Sequence, residues 1–162
     1  MADPQYRIEF KVNGQNPFGA DTGTLSLFQD SSVIIVSTGF SGGRHSPAGS
    51  DPIPSETYRI LLSIRNTAAT FPTLGDTEDA MHQWYGIEKI DDPGWQVEWG
   101  HYRAHLNERN KNMAQGYRGN FLHGKLRPGD YTHGCICERS EVILKKLWTL
   151  PRNLVIPVLV AR

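Results

Sequence analysis

Strict alternation near the start of the chain is the pattern that most limits the fold. In YRIEFKVNG, apolar Tyr6, Ile8, Phe10 and Val12 alternate with polar Arg7, Glu9 and Lys11. A period of two puts the apolar side chains on one face of an extended strand and leaves the other face wet. Asn13-Gly14 marks the end of that strand. In TLSLFQDSSVIIVSTGFSGG, residues 25–29 read as one arm of a hairpin, Asp30-Ser31-Ser32 as its turn, and residues 33–37 as a buried β-branched return strand. RHSPAGSDPIPSE is a loop dense in Pro, Gly and Ser. TYRILLSIRN is a strand again, with Tyr58, Ile60, Leu62 and Ile64 on one face. NLVIPVLVAR closes the chain as a strand in which Pro157, having no N–H, requires an edge position or a bulge.

The middle of the chain mixes periods. DTEDAMHQWYG predicts a short helix capped by Asp76 or Thr77 and ended by Gly86. Trp95, Val97 and Trp99 alternate and predict a strand that loses phase near Gly100. NERNKNMAQG is polar and expected at the surface, and RGNFLHG is a short strand that delivers His123. Beyond Cys135, Val142, Ile143, Leu147 and Trp148 recur at helical spacing, which predicts a helix that begins within residues 137–140 and stops before Pro151. Residues 1–162 are thus expected to form a single mainly β domain with one or two short helices, and this length can bury a core without metals or disulfides.

Composition excludes several partners. Lys+Arg and Asp+Glu balance at 17 each, so no basic field points to nucleic acid. No apolar run reaches the ~18 residues of a membrane helix. MADPQYRIEF has no basic region followed by an apolar one, so no Sec-type signal peptide is expected. Cys-Ile-Cys is too short a loop for an unstrained bridge.

The chemistry concentrates in FLHGKLRPGDYTHGCICERSEVILKKLW, which holds two of the six histidines and both cysteines. A cysteine near a helix start is expected to have a lowered thiol pKa, and amide N–H groups beside it can face an oxyanion. Gly134 permits a tight turn and a close substrate approach. His123 or His133 can take the thiol proton. The alternatives are a buried, inert cysteine, which is the plainer reading for Cys137, and a zinc site built from His123, His133, Cys135 and Cys137. C-x-C with one upstream histidine departs from the usual zinc spacing. No histidine follows Cys135, which excludes the papain-like order of nucleophile first and histidine downstream.

His123-Gly124 followed by Thr132-His133-Gly134-Cys135 resembles the signature of L,D-transpeptidase catalytic domains, which cross-link or trim bacterial peptidoglycan. The upstream VIIVSTGFSGGRHSPAGSDPIPSETYRI is similar to that family's strand, turn and proline pattern, so the resemblance covers roughly residues 24–65 and 117–150. It implies an L,D-transpeptidase-like β-sandwich with a helix after the cysteine and no cofactor or metal. It further implies Cys135 as nucleophile, His123 as base, and the Gly124 carbonyl as the group that orients the imidazole. His133 would shape the pocket, the N–H groups of Gly134 and Cys135 would form the oxyanion hole, and Thr132, Tyr131 and Arg118 would contact substrate. The chain departs from the family in three ways. His123 and Cys135 are only 12 positions apart, Cys137 stands where Asn or Arg is common, and the family's usual export signal is not expected here. These departures look more like the L,D-transpeptidase-like toxins delivered by type VI secretion into the periplasm of competing Gram-negative bacteria. That likeness implies tetrapeptide stems as substrate, L,D-carboxypeptidase or D-amino acid exchange as activity, and an immunity protein and type VI secretion components as partners. An enzyme cross-linking its own wall, a non-catalytic peptidoglycan-binding module and a zinc-dependent amidase are the alternatives.

Other residues are open to two readings. His101, Arg103 and His105 alternate, either as a basic patch for stem carboxylates or, more simply, as a solvated polar face. Trp84, Tyr85, Trp95 and Trp99 suit a groove or, more simply, a core. Tyr117 and Arg118 precede the His123 strand, His82 reads as a helix-surface residue, and Arg44 and His45 have no assignable role.

Overall fold

The computed structural model describes residues 3–63, 65–68, 86–108 and 119–162. The expected helix at 76–86, with His82, Trp84 and Tyr85, falls outside the described residues except for Gly86, as do Ile64, Tyr117 and Arg118. In chain order the strands are β1 (Tyr6–Gln15), β2 (Asp21–Gln29), β3 (Ser32–Ser41), β4 (Thr57–Leu61), β5 (Arg65–Ala68) and β6 (Ile87–Ile90). Helix α1 (Pro93–Trp99) comes next, then β7 (Tyr102–His105), β8 (Asn107–Glu108), β9 (Phe121–His123) and β10 (Ile136–Cys137). Helix α2 (Val142–Thr149) and β11 (Val155–Ala161) complete the described fold. The fold is mainly β: the strands make one nearly closed sheet in the order β5-β6-β7-β9-β10-β3-β2-β1-β11-β4-β8. Among the described residues no helix is long and apolar enough to cross a membrane.

The alternation in β1 buries Ile8 and Phe10 completely. The strand runs past Asn13-Gly14 to Gln15 because a bulge between Val12 and Gly14 lets pairing with β2 continue. Tyr58, Ile60 and Leu62 join the same core, as do Ile156, Val158 and Val160 of β11. Helix α2 packs Ile143, Leu144 and Leu147 against it, each contributing roughly 1.5–3 kcal/mol relative to exposure.

Four expectations are corrected. Residues 33–37 are not a buried strand: Val33, Ile34 and Val36 are exposed, and of this run only Ser37 is buried. The reason is local, since β10 pairs only with Phe40 and Ser41 and leaves the first half of β3 paired to β2 alone. Trp95, Val97 and Trp99 belong to helix α1, not a strand. Asp92 accepts from the Gly94 amide at 2.8 Å and Pro93 begins the first turn, a start signal that outweighs a three-residue alternation. Helix α2 begins at Val142, after residues 137–140, and Leu144 replaces the exposed Val142 on its buried face. Pro157 lies inside the sheet, opposite Arg59 of β4, where the parallel pairing with β1 opens only one residue later at Val158.

Candidate active site

The parallel pairing of β9 with β10 sets Cys137 opposite His123 and brings the loop 132–135 to the end of β9. There a cleft of about 230 Å³ is lined by Glu98, Trp99, His123, Lys125, Arg127, Tyr131, Thr132, His133 and Cys135. The structure therefore brings His123, His133, Cys135, Thr132 and Tyr131 together at one opening.

Nδ1 of His123 hydrogen-bonds the carbonyl of Gly124. A carbonyl oxygen only accepts, so Nδ1 carries the proton and Nε2 keeps a lone pair. The Trp99 ring meets the imidazole edge-on, with centroids 4.9 Å apart. Burial pushes the imidazole down to about 4; the Gly124 carbonyl opposes this, and Lys125 and Arg103 add to it.

Cys135 is buried, and burial pushes its thiol up to about 11 against the Phe121 backbone amide and the Arg103 charge. The expected lowering by a helix N-terminus is corrected here. The first turn of α2 is spoken for: the fully buried Glu138 carboxylate accepts from the Ile143 and Leu144 amides at 3.1 Å. At neutral pH the cleft therefore holds an uncharged thiol and an uncharged imidazole.

Thr132 is the hub of the loop. Its Oγ1 accepts from the amides of Gly42 at 2.9 Å and Gly134 at 3.2 Å, and donates to the Cys135 carbonyl at 2.6 Å. One donor and two lone pairs are all used. The loop is tied to β3 a second time by Ser41, whose hydroxyl donates to the Gly134 carbonyl at 3.2 Å. Gly134 sits at φ 115°, in the region that favours glycine. The Gly134 N–H, expected as one of two donors to an oxyanion, goes instead to Thr132 Oγ1.

His133 is exposed at the cleft mouth. Cys137 is fully buried beside Ala20 and Phe40, and burial pushes its thiol far up. Both cysteines are free. Among the described residues no group of three or more His, Cys, Asp or Glu side chains is placed to hold a metal ion.

Several contributors escaped the sequence reading. Lys125 is buried, donates to the carbonyls of Gly129 at 2.9 Å and Tyr131 at 2.8 Å, and sits 4.1 Å from the Tyr131 ring centroid. Desolvation lowers its pKa. Arg139 clamps the same loop by donating to the carbonyls of Lys125, Arg127 and Gly129 and pairing with Asp130 at 2.6 Å. Under the cleft, Arg103 and His105 are neither a basic patch nor a solvated face. Both are buried and bonded to Glu88 at 2.7 Å, and the Arg103 guanidinium stacks on Trp99 and Phe121 at 4.7 and 4.6 Å. His101 is the exposed member and pairs with Glu141. The available signal was Glu138, Arg139 and Glu141 crowded just before an apolar helical run, where carboxylates cap a helix start.

No protein-family model, curated protein or solved structure matches this chain.

Proposed function

We propose that the cleft is the acyl-transfer site of a cysteine enzyme acting on the L,D-bond between diaminopimelate and D-Ala of peptidoglycan tetrapeptide stems. The observation that carries this reading is the Nδ1–H of His123 donated to the Gly124 carbonyl, which leaves Nε2 with its lone pair on a residue that lines the same cleft as Cys135. In the proposed reaction Nε2 accepts the thiol proton as sulfur attacks the stem carbonyl. The Cys135 N–H then donates to the oxyanion. The C–N bond breaks, His123 returns the proton to the departing D-Ala amine, and a thioester remains. Water activated by His123 gives an L,D-carboxypeptidase; a D-amino acid gives exchange. The fixed charge of Lys125 suits an anionic stem. The family's two-layered sandwich is the arrangement we take the nearly closed sheet to approximate. Delivery as a type VI toxin to the periplasm of Gram-negative competitors, opposed by an immunity protein, belongs to the same proposal.

Purified protein incubated with tetrapeptide should release D-Ala, and Cys135→Ala should release none. D-Ala release that survives Cys135→Ala ends the proposal. One observation favours a second reading, a stem-binding module without chemistry: the thiol pushed up to about 11. A carbapenem adduct on Cys135, read by intact mass, supports the enzyme. Stem binding with an inert thiol supports the module.

A further inference from the structure

Glu141 is a buried glutamate with left-handed backbone, φ 54° and ψ 20°, immediately before α2. A non-glycine residue there is costly, and such strain persists only where the surroundings impose it. The surroundings in this case are hydrogen bonds. The carboxylate accepts from the His101 amide at 2.7 Å, the Tyr102 amide at 3.0 Å and His101 Nδ1 at 2.7 Å.

The anchored carboxylate fills the space beside Gly124. A Cβ on Gly124 would lie 2.2 Å from Oε1 and 2.3 Å from Cδ of Glu141. A Cβ on Gly100 would lie 2.5 Å from the Gly124 Cα and 2.6 Å from the same Oε1. Gly100, Gly124 and Glu141 therefore share one volume with no room for a further atom. The carbonyl of Gly124 is the acceptor that sets the His123 tautomer.

We propose that Glu141 is a positioning residue: its carboxylate, anchored on the His101 and Tyr102 amides, presses the Gly124 peptide into the orientation that receives His123 Nδ1–H. The catalytic consequence rests on the reading of His123 as base; the geometric role does not. The test separates the two. In the full chain, ¹⁵N NMR of the His123 ring should show a single Nδ1–H tautomer. Glu141→Ala should give mixed tautomers, while Glu141→Gln, which still accepts from both amides, should keep the wild-type spectrum. Gly124→Ala drives a methyl into the carboxylate and should reproduce the Glu141→Ala spectrum, so it carries the test if Glu141→Ala does not fold. For D-Ala release, Glu141→Ala should lower kcat roughly 10- to 100-fold with KM within about twofold, the signature of a misplaced group rather than a lost binding contact. Folded Glu141→Ala or Gly124→Ala with an unchanged single tautomer overturns the proposal. Wild type that releases no D-Ala, with the tautomer results as expected, overturns the acyl-transfer reading and leaves the positioning role standing.

Discussion

The Trp99 ring covers the buried His123 imidazole edge-on, at a centroid distance of 4.9 Å. A dry imidazole is a weak proton acceptor, which explains why the group rests neutral over most of the accessible pH range.

The pH profile follows from that burial. The base form of His123 persists down to about 4, against the usual 6.5. kcat/KM for D-Ala release should therefore stay level from pH 7 to 5 and fall only near 4. His123→Ala should lose roughly 10²- to 10⁴-fold. An acid limb near 6.5 instead of 4 would mean that His123 is not the working base.

The two cysteines should behave differently. Cys135 opens on the cleft, whereas Cys137 is enclosed by Ala20 and Phe40. A small alkylating reagent on the native protein should modify Cys135 alone, read by peptide mass mapping. Cys137→Ala should keep activity and lose on the order of 1 kcal/mol, the cost of one small buried group. Modification of Cys137 in the folded state would contradict the enclosure.

Thr132 should matter through its hydroxyl. Valine keeps the shape but strands the Gly42 and Gly134 amides and the Cys135 carbonyl. A buried group left unsatisfied costs about 1–3 kcal/mol. Thr132→Val should therefore lower the unfolding free energy in urea by at least about 2 kcal/mol, with Thr132→Ser close to wild type. Equal stability of the valine variant would show that the hydroxyl is not the hub.

What was legible in the sequence was what repeats or what is local. Alternation in residues 6–12 and 58–62 shows which side chains face the core, because pleat geometry acts residue by residue. His123 and Cys135 were legible as a local pair flanked by glycines. The Glu88–Arg103–His105 network was not, because its members join across the pairing of β6 with β7, and charge in sequence reads as solvated surface. Glu141 was hidden for the same reason: its partners His101 and Tyr102 lie 40 and 39 positions away. The exposure of Val33, Ile34 and Val36 depends on how far β10 extends, a property of the sheet and not of the β3 segment.

Acid should unfold this protein through its buried histidines. His105 and His123 are held near 4 when folded, chiefly by desolvation, and each returns to about 6.5 when the chain unfolds. Between those values the unfolded chain binds protons that the folded chain refuses. Stability is therefore fully present above pH 6.5 and falls as pH drops toward 4, by on the order of 3 kcal/mol for each histidine. Glu88 adds to the loss at the low end. Burial alone would raise its carboxyl, but His105 and Arg103 together hold it below the usual 4.5, so its contribution is present above that value and disappears as it protonates. Urea unfolding at pH 7, 6, 5 and 4 should show this decline. His105→Gln can still donate to Glu88 but does not titrate, so its decline should be shallower by about one proton. A variant that loses stability as steeply as wild type would mean that His105 takes up its proton in the folded state, paired with Glu88 as an imidazolium at 2.7 Å.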